Sequence, residues 1–158
     1  MKNYQNMQNS RNSHLDGGRH SRPSVDESDS SAMRVLLVED SRIISEVIKE
    51  NLAGIPGLEL AGVAETESDA LDLLNANSYD VLILDIQLKQ GNGINLLRTL
   101  AARPIESKAV KIVFSNHVSK TYRRICEQYG VQYFFDKTAE FSQLHTLLTR
   151  LSVGAQAH

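Results

Sequence analysis

The sequence predicts an α/β protein in which five βα units form one doubly wound, parallel five-stranded sheet. Short apolar runs alternate with amphipathic stretches from Met33 onward, a texture typical of this fold class. One run, Val35-Leu36-Leu37-Val38, is apolar without alternation, as expected for a strand that helices cover on both faces. The chain has 158 residues and 41% of them are hydrophobic, so one domain with a remainder is expected.

The five strands are placed where the apolar runs are densest. They are predicted at residues 34–38, 58–64, 81–85, 111–115 and 133–135. Parallel neighbours need a crossover connection, which is usually a helix. The stretches between these runs are long enough for one helix each, so a helix is expected after every strand.

The first two helices are predicted from hydrophobic spacing and from a capping pattern. The first covers residues 41–53, and its apolar residues at helical spacing are Ile44, Val47, Ile48 and Leu52. The second opens at residues 66–69 with an acidic variant of the capping box. Both segments therefore predict amphipathic helices that pack on the sheet.

Residues with known preferences for helix ends define the other three helices. The third helix is predicted at residues 93–102, before Pro104. Ser119 and Thr138 are the predicted N-caps of the fourth and fifth helices, and Gly130 is the predicted stop between them.

Residues 1–32 differ from the rest of the chain in composition. They contain seven Ser, four Asn and two Gln, and four basic residues balance four acidic ones. Their scattered apolar residues follow neither a helical nor a strand period. We therefore predict a disordered N-terminal tail at 1–32, either a plain tether or the carrier of a short interaction motif, and a folded domain at 33–158.

Charge and composition exclude several classes of function. Seventeen Lys and Arg stand against 19 Asp and Glu, for a formal net charge of −2, without the basic excess expected of a direct nucleic-acid binder. The longest apolar runs fall far short of the roughly 20 residues that span a bilayer. Cys126 is the single cysteine, so an internal disulfide is impossible. We therefore expect a cytoplasmic protein that contacts neither membrane nor nucleic acid directly.

Acidic, hydroxyl and ammonium side chains follow the predicted strands at their carboxyl ends. They are Glu39 and Asp40 after the first strand, Asp85 at the end of the third, Ser115 at the end of the fourth, and Asp136 and Lys137 after the fifth. In the flavodoxin-like strand order 2-1-3-4-5 these ends converge on one crevice. Crowded carboxylates favour a hard cation such as Mg²⁺, and a Lys beside a Ser suits a phosphoryl group.

These segments resemble the receiver domains of two-component response regulators. The matching segments are VLLVEDS at 35–41, VLILDIQL at 81–88 with GNG at 91–93, IVFS at 112–115 and YFFDK at 133–137. Each motif is weak alone, but together they occur in the family's order and at the corresponding strand ends. The resemblance covers residues 33–152.

The resemblance implies that Asp85 accepts a phosphoryl group from a phosphohistidine of a histidine kinase or a histidine phosphotransfer protein. It also implies a Mg²⁺ cofactor, and the residues that it assigns to the metal site are Glu39, Asp40, Asp85 and the backbone carbonyl of Gln87. By the same comparison, Ser115 and Lys137 contact the phosphoryl group. Ser115 and Phe134 then form a conformational switch.

Three positions depart from the family pattern. Asn116 follows Ser115 where a small residue is usual, so we expect restricted access to Asp85 and slower phosphotransfer. Lys89 stands where Pro is common, which predicts a looser turn. Thr138 stands where a cis Pro is common, and we expect a trans bond there because a cis non-proline bond costs about 3 to 4 kcal/mol.

Gln87 and His117 lie two residues beyond Asp85 and Ser115 and border the path of water to an acyl phosphate. The resemblance implies that these positions tune dephosphorylation, with the amide orienting water and the imidazole blocking it. The alternative is that both are solvated loop residues.

The predicted function is that of a stand-alone, single-domain response regulator. Phosphorylation changes a surface built from the fourth helix, the fifth strand and the fifth helix, which contacts an unknown protein target. We expect no enzyme activity beyond its own phosphorylation and dephosphorylation, because a phosphohydrolase needs a second carboxylate where Gln87 stands, and the Gly-rich loop of P-loop nucleotide-binding proteins is missing. The alternative is a pseudo-receiver that docks proteins without phosphorylation.

Overall fold

The computed structural model describes residues 32–103, 108–116 and 118–156. Five strands pair in parallel and form one sheet in the order β2-β1-β3-β4-β5. The strands are β1 Met33–Val38, β2 Leu58–Ala64, β3 Val81–Leu84, β4 Val110–Ser115 and β5 Val131–Asp136. The predicted fold class and strand order are confirmed.

One helix follows each strand. The helices are α1 Arg42–Ala53, α2 Glu67–Ala76, α3 Gly93–Ala101, α4 Lys120–Gln128 and α5 Phe141–Gln156. A polar side chain at the N-cap of each of the first four helices accepts a backbone N–H of the first turn, and these caps are Ser41, Thr66, Asn92 and Ser119. The caps fix where the chain leaves the sheet edge and enters each of these helices.

Two apolar layers cover the faces of the sheet. In β1, Leu36 and Val38 pack with α2, α3 and α4, whereas Val35 and Leu37 pack with α1 and α5. All four side chains are at most 1% exposed. This alternation explains the unbroken apolar run in the sequence, since both faces of the strand are buried.

Strand β5 is longer than predicted. It begins at Val131, directly after Gly130, whose φ of 92° turns the chain out of α4. The prediction started at Tyr133; the polar Gln132, which interrupts the apolar pattern, is exposed in the structure. The Gln132 side-chain oxygen accepts a hydrogen bond from the Lys111 backbone N–H at 2.9 Å, so this polar residue supports the sheet.

The predicted N-cap of α5 at Thr138 is wrong. The backbone N–H and the hydroxyl of Thr138 both donate to Asp136 Oδ1, at 2.8 and 2.5 Å, which forms a turn. Helix α5 begins later, at Phe141, and the carbonyl of Glu140 accepts the N–H of Leu144 at 3.2 Å. The peptide bond before Thr138 is trans, as predicted.

Some predictions concern residues outside the described part of the chain. The predicted tail, apart from Ala32, lies outside it, as do Pro104 and His117.

Helix α3 ends at Ala101, one residue before its predicted end. No helix in the described segments is long and apolar enough to cross a membrane.

Candidate functional site

Asp85 lies one residue beyond β3, at the carboxyl edge of the sheet, and is 6% exposed. Its backbone N–H donates to the carbonyl of Val38 in β1 at 3.0 Å. On the other side, Gly93 packs so closely that an added Cβ would clash with the Asp85 carbonyl oxygen and lie 2.9 Å from Ile86 Cα. The backbone that carries Asp85 is therefore held by β1 and by the first residue of α3.

Both carboxylate oxygens of Asp85 accept hydrogen bonds. Oδ1 accepts the Ser115 hydroxyl at 2.5 Å and the Gln87 backbone N–H at 3.1 Å. Oδ2 accepts the Lys137 ammonium at 2.6 Å. The structure thus brings together Asp85, Ser115 and Lys137 from the ends of β3, β4 and β5, as the sequence predicted.

Lys137 also pairs with Glu39. Its Nζ lies 2.6 Å from Glu39 Oε1, and the two side chains are 11% and 1% exposed. The other oxygen of Glu39 accepts the Ser41 backbone N–H at 2.9 Å. The ammonium group therefore stands between two buried carboxylates and offsets part of their mutual repulsion.

Burial and charge pairing oppose each other in this cluster. Burial acts to lower the pKa of Lys137, but hydrogen bonds to Asp85 and Glu39 outweigh it, so this pKa is raised above 10.5. Burial raises the pKa of Glu39 above 4.5, against the opposing effects of Lys137 and the Ser41 amide. Lys137 therefore stays cationic at neutral pH.

Asp40 follows β1, before α1, and contacts the loop between β3 and α3. Its Oδ2 accepts the Lys89 backbone N–H at 2.6 Å. Across residues 32–103, 108–116 and 118–156, no three Asp, Glu, His or Cys side chains are arranged as a metal-binding group. The donor types nevertheless fit a hard divalent cation, because the carboxylates of Asp40 and Asp85 and the Gln87 carbonyl are oxygen donors of the kind that Mg²⁺ prefers.

Phe134 is half-buried in β5 and contacts a cation from α4. The guanidinium carbon of Arg123 lies 4.5 Å from the centroid of its ring, which is cation–π geometry. A cavity of about 190 Å³ lies beside them, lined by Ser115, Val118, Arg123, Phe134, Phe135, Asp136 and Glu140. Phe134 and Ser115 therefore border the same space, as a coupled movement of the two side chains requires.

Two further candidate residues follow Asp85 and Ser115 closely in the chain. The side chain of Gln87 is exposed, and so is that of Asn116, which follows Ser115. The expected effects of Gln87 and His117 on water access, and of Asn116 on phosphotransfer, stay predictions.

The sequence did not reveal the role of Glu67. Its backbone N–H donates to the Gln90 carbonyl at 3.2 Å, and its Oε1 accepts the Asn92 N–H at 3.1 Å. The β3–α3 loop is therefore held against α2. The expectation of a looser turn at Lys89 did not take this contact into account. The only signal was the capping box that contains Glu67, and capping patterns do not report contacts 25 residues away.

Comparisons with known proteins point to one family. The model of the response regulator receiver domain family matches residues 35–149. The transcriptional regulatory protein MalR of Bacillus subtilis (strain 168) is 32% identical over 123 residues, which cover 74% of this chain and 49% of MalR. The chain spans about half or less of the curated relatives that it matches.

Solved structures show the same fold. The response regulator domain of Thermotoga maritima CheB has a TM-score of 0.67 at 22% identity, covering 80% of this chain and 98% of that domain. The Mn(2+)-bound form of response regulator Rcp1 has a TM-score of 0.62 at 17% identity, covering 75% and 91%.

The protein is therefore a parallel α/β domain with an acidic crevice where the strand order of the sheet reverses. The chain belongs to the response regulator receiver domain family. This membership implies phosphoryl acceptance in two-component signalling.

Proposed function

We propose that the protein accepts a phosphoryl group on Asp85 and signals through the resulting change in its surface. The observation that carries this proposal is the Asp85 carboxylate, which is buried and accepts hydrogen bonds from the Ser115 hydroxyl at 2.5 Å and the Lys137 ammonium at 2.6 Å. Donors fixed in this way face the place where phosphoryl charge arrives, and they need little rearrangement to stabilise it.

The proposed reaction moves a phosphoryl group from nitrogen to oxygen. A carboxylate oxygen of Asp85 attacks the phosphorus of a phosphohistidine, a P–O bond forms, and the P–N bond breaks. The imidazole leaves with the electron pair of that bond. Lys137 and Ser115, which bind the free carboxylate, then donate to the phosphoryl oxygens.

We further propose Asp40, Asp85 and the Gln87 carbonyl as ligands of a Mg²⁺ ion, with Glu39 acting through water. A bound divalent cation neutralises negative charge on the phosphoryl oxygens. Response regulator Rcp1, which shares the fold, has a Mn(2+)-bound form, and this supports a divalent cation as the ligand.

The proposed phosphodonor is a histidine kinase or a histidine phosphotransfer protein, and the proposed output surface comprises α4, β5 and α5. The cavity shared by Ser115 and Phe134 supports this choice, because a shift of the hydroxyl opens or closes space for a ring on that surface. We propose no catalysis beyond phosphorylation and dephosphorylation of the protein itself. The domain boundary at residue 33, single-domain action, cytoplasmic location and lack of direct nucleic-acid contact stay predictions.

The test is phosphorylation with a small phosphodonor and Mg²⁺, read by intact mass. Wild-type protein should gain one phosphoryl group, and Asp85→Asn should gain none, because the amide is a poor nucleophile. Asp72→Asn, a matched change at an exposed position of α2, should be labelled like wild type. An excess of chelator should suppress labelling. Labelled Asp85→Asn protein would contradict the proposal. Unlabelled wild type would favour the alternative, a pseudo-receiver that docks proteins without phosphorylation.

A further inference from the structure

Glu67, the first residue of α2, holds the loop that carries the proposed metal and phosphoryl site. Its backbone N–H donates to the Gln90 carbonyl at 3.2 Å, and its carboxylate accepts the Asn92 N–H at 3.1 Å. Asn92 is in turn the N-cap of α3, since its side chain accepts the Asn95 N–H at 2.8 Å. Glu67 thus links the first turns of α2 and α3 across the loop.

The packing of Gly91 shows how closely Glu67 approaches this loop. Gly91 has a φ of 83°, and an added Cβ would clash with both the Cβ and the Oε1 atom of Glu67. The contact therefore involves the backbone and the stem of the side chain as well as the carboxylate. Such a contact limits the positions that the loop can occupy.

The other side of the loop is held by Asp40, whose Oδ2 accepts the Lys89 N–H at 2.6 Å. Asp40 is also a proposed metal ligand, so its carboxylate serves two purposes, whereas Glu67 lies outside the proposed ligand set. Gln87, whose carbonyl is a proposed ligand, is bridged to Asn92 across the loop. The hydrogen bond of this pairing runs from the Gly93 N–H to the Ile86 carbonyl at 2.8 Å, so the backbone at Asn92 is coupled to that at Gln87 through their neighbours.

We propose that Glu67 is a positioning residue that holds the β3–α3 loop, and with it the Gln87 carbonyl, in place for cation binding at Asp85. The inference rests on the proposed function of Asp85 and deepens it.

The test compares Glu67→Ala and Glu67→Gln with wild type, using Asp69→Asn as the matched control. The Asp69→Asn change removes one negative charge from the same first turn of α2, and the side chain of Asp69 is exposed. Two readouts are needed: amide hydrogen exchange of Asn92 by NMR, and Mg²⁺ affinity from amide shifts during titration with MgCl₂ alone. Thermal denaturation verifies that each variant is folded.

Glu67→Ala should speed Asn92 exchange by about tenfold or more, as expected when a hydrogen bond to a charged acceptor is lost. It should also weaken Mg²⁺ binding several-fold. Glu67→Gln keeps an acceptor oxygen, so its Asn92 exchange and its Mg²⁺ affinity should be close to those of wild type. Asp69→Asn should change neither the exchange nor the affinity.

Unchanged exchange in Glu67→Ala would overturn the proposal, and so would faster exchange with Mg²⁺ affinity within twofold of wild type. Weaker Mg²⁺ binding in Asp69→Asn equal to that in Glu67→Ala would also overturn it, since charge alone would then be the cause. None of these readouts requires phosphorylation, so a failure of the Asp85 proposal would be seen separately, as unlabelled wild-type protein.

Discussion

At the scale of single residues, Lys137 balances the charge of the site. One ammonium lies 2.6 Å from carboxylate oxygens of both Glu39 and Asp85, and all three side chains are largely buried. Removing one member of a buried ion pair leaves an uncompensated charge, which is usually costlier than the pair is stabilising. Removal of this lysine is therefore expected to destabilise the fold, whether or not the protein is phosphorylated.

Lys137→Met should lower the free energy of unfolding by about 3 kcal/mol at neutral pH, because Glu39 and Asp85 lose their shared cation. Urea denaturation in the presence of a chelator measures this change. Lys120→Met, at an exposed position of α4, should stay within about 0.5 kcal/mol of wild type. Adding Glu39→Gln to Lys137→Met should recover part of the loss, whereas a double variant no more stable than Lys137→Met would show that charge is not the cause.

At the scale of secondary-structure elements, the short connections after the strands determine the site. The loop between β3 and α3 contacts α2 through Glu67 and reaches the end of β1 through Asp40. Gly91 and Gly93 permit the closest backbone approaches in this loop, the first to Glu67 and the second to Asp85. Two glycines two residues apart thus serve two different contacts.

Gly91→Ala should destabilise the protein by roughly 1 to 3 kcal/mol, because its φ of 83° is strained for alanine and a Cβ there meets Glu67. Gly154→Ala is the matched control in α5, where an added Cβ meets nothing within 4 Å. That change should be neutral or stabilising by up to about 1 kcal/mol. Thermal or urea denaturation compares the two, and equal effects would contradict the role assigned to Gly91.

Element ends differ in how well the sequence predicts them. Ser119 was correctly predicted as an N-cap because its side chain contacts a backbone group three residues away. Thr138 looked equally suitable, but its hydroxyl instead donates to Asp136, and α5 starts at Phe141. The Thr138 hydroxyl can either cap a helix or bond to a nearby side chain. Asp136, the last residue of β5, lies within reach of it, and helix propensity alone does not include this contact.

At the scale of the whole molecule, the sheet was predictable because its three central strands, β1, β3 and β4, are buried on both faces. That burial imposes continuous apolar runs, and the polar residues that interrupt them mark the sheet edge where Glu39, Asp85 and Ser115 meet. Long-range contacts were less predictable: Lys137 was expected near Asp85 from strand order, but the contact of Glu67 with Asn92 has no local signature. The topology therefore predicted where the site lies, whereas its supporting contacts are seen only in the folded structure.

The predicted boundary at residue 33 separates the folded domain from residues 1–32, so it is tested on the whole chain. The first strand begins at Met33, whose backbone N–H donates to the Gly57 carbonyl at 2.8 Å. A chain that starts at Met33 should keep every core side chain, because the residues removed have no periodic apolar face. Its melting temperature should lie within about 2 °C of the full chain, whereas each kcal/mol lost would lower it by roughly 4 °C. A chain that starts at Leu37, lacking Val35 and Leu36 at 0% exposure, should fail to unfold cooperatively and so shows that the assay detects a lost strand. A drop of several degrees for the Met33 chain would mean that residues 1–32 contribute to the stability of the domain, and the boundary would be wrong.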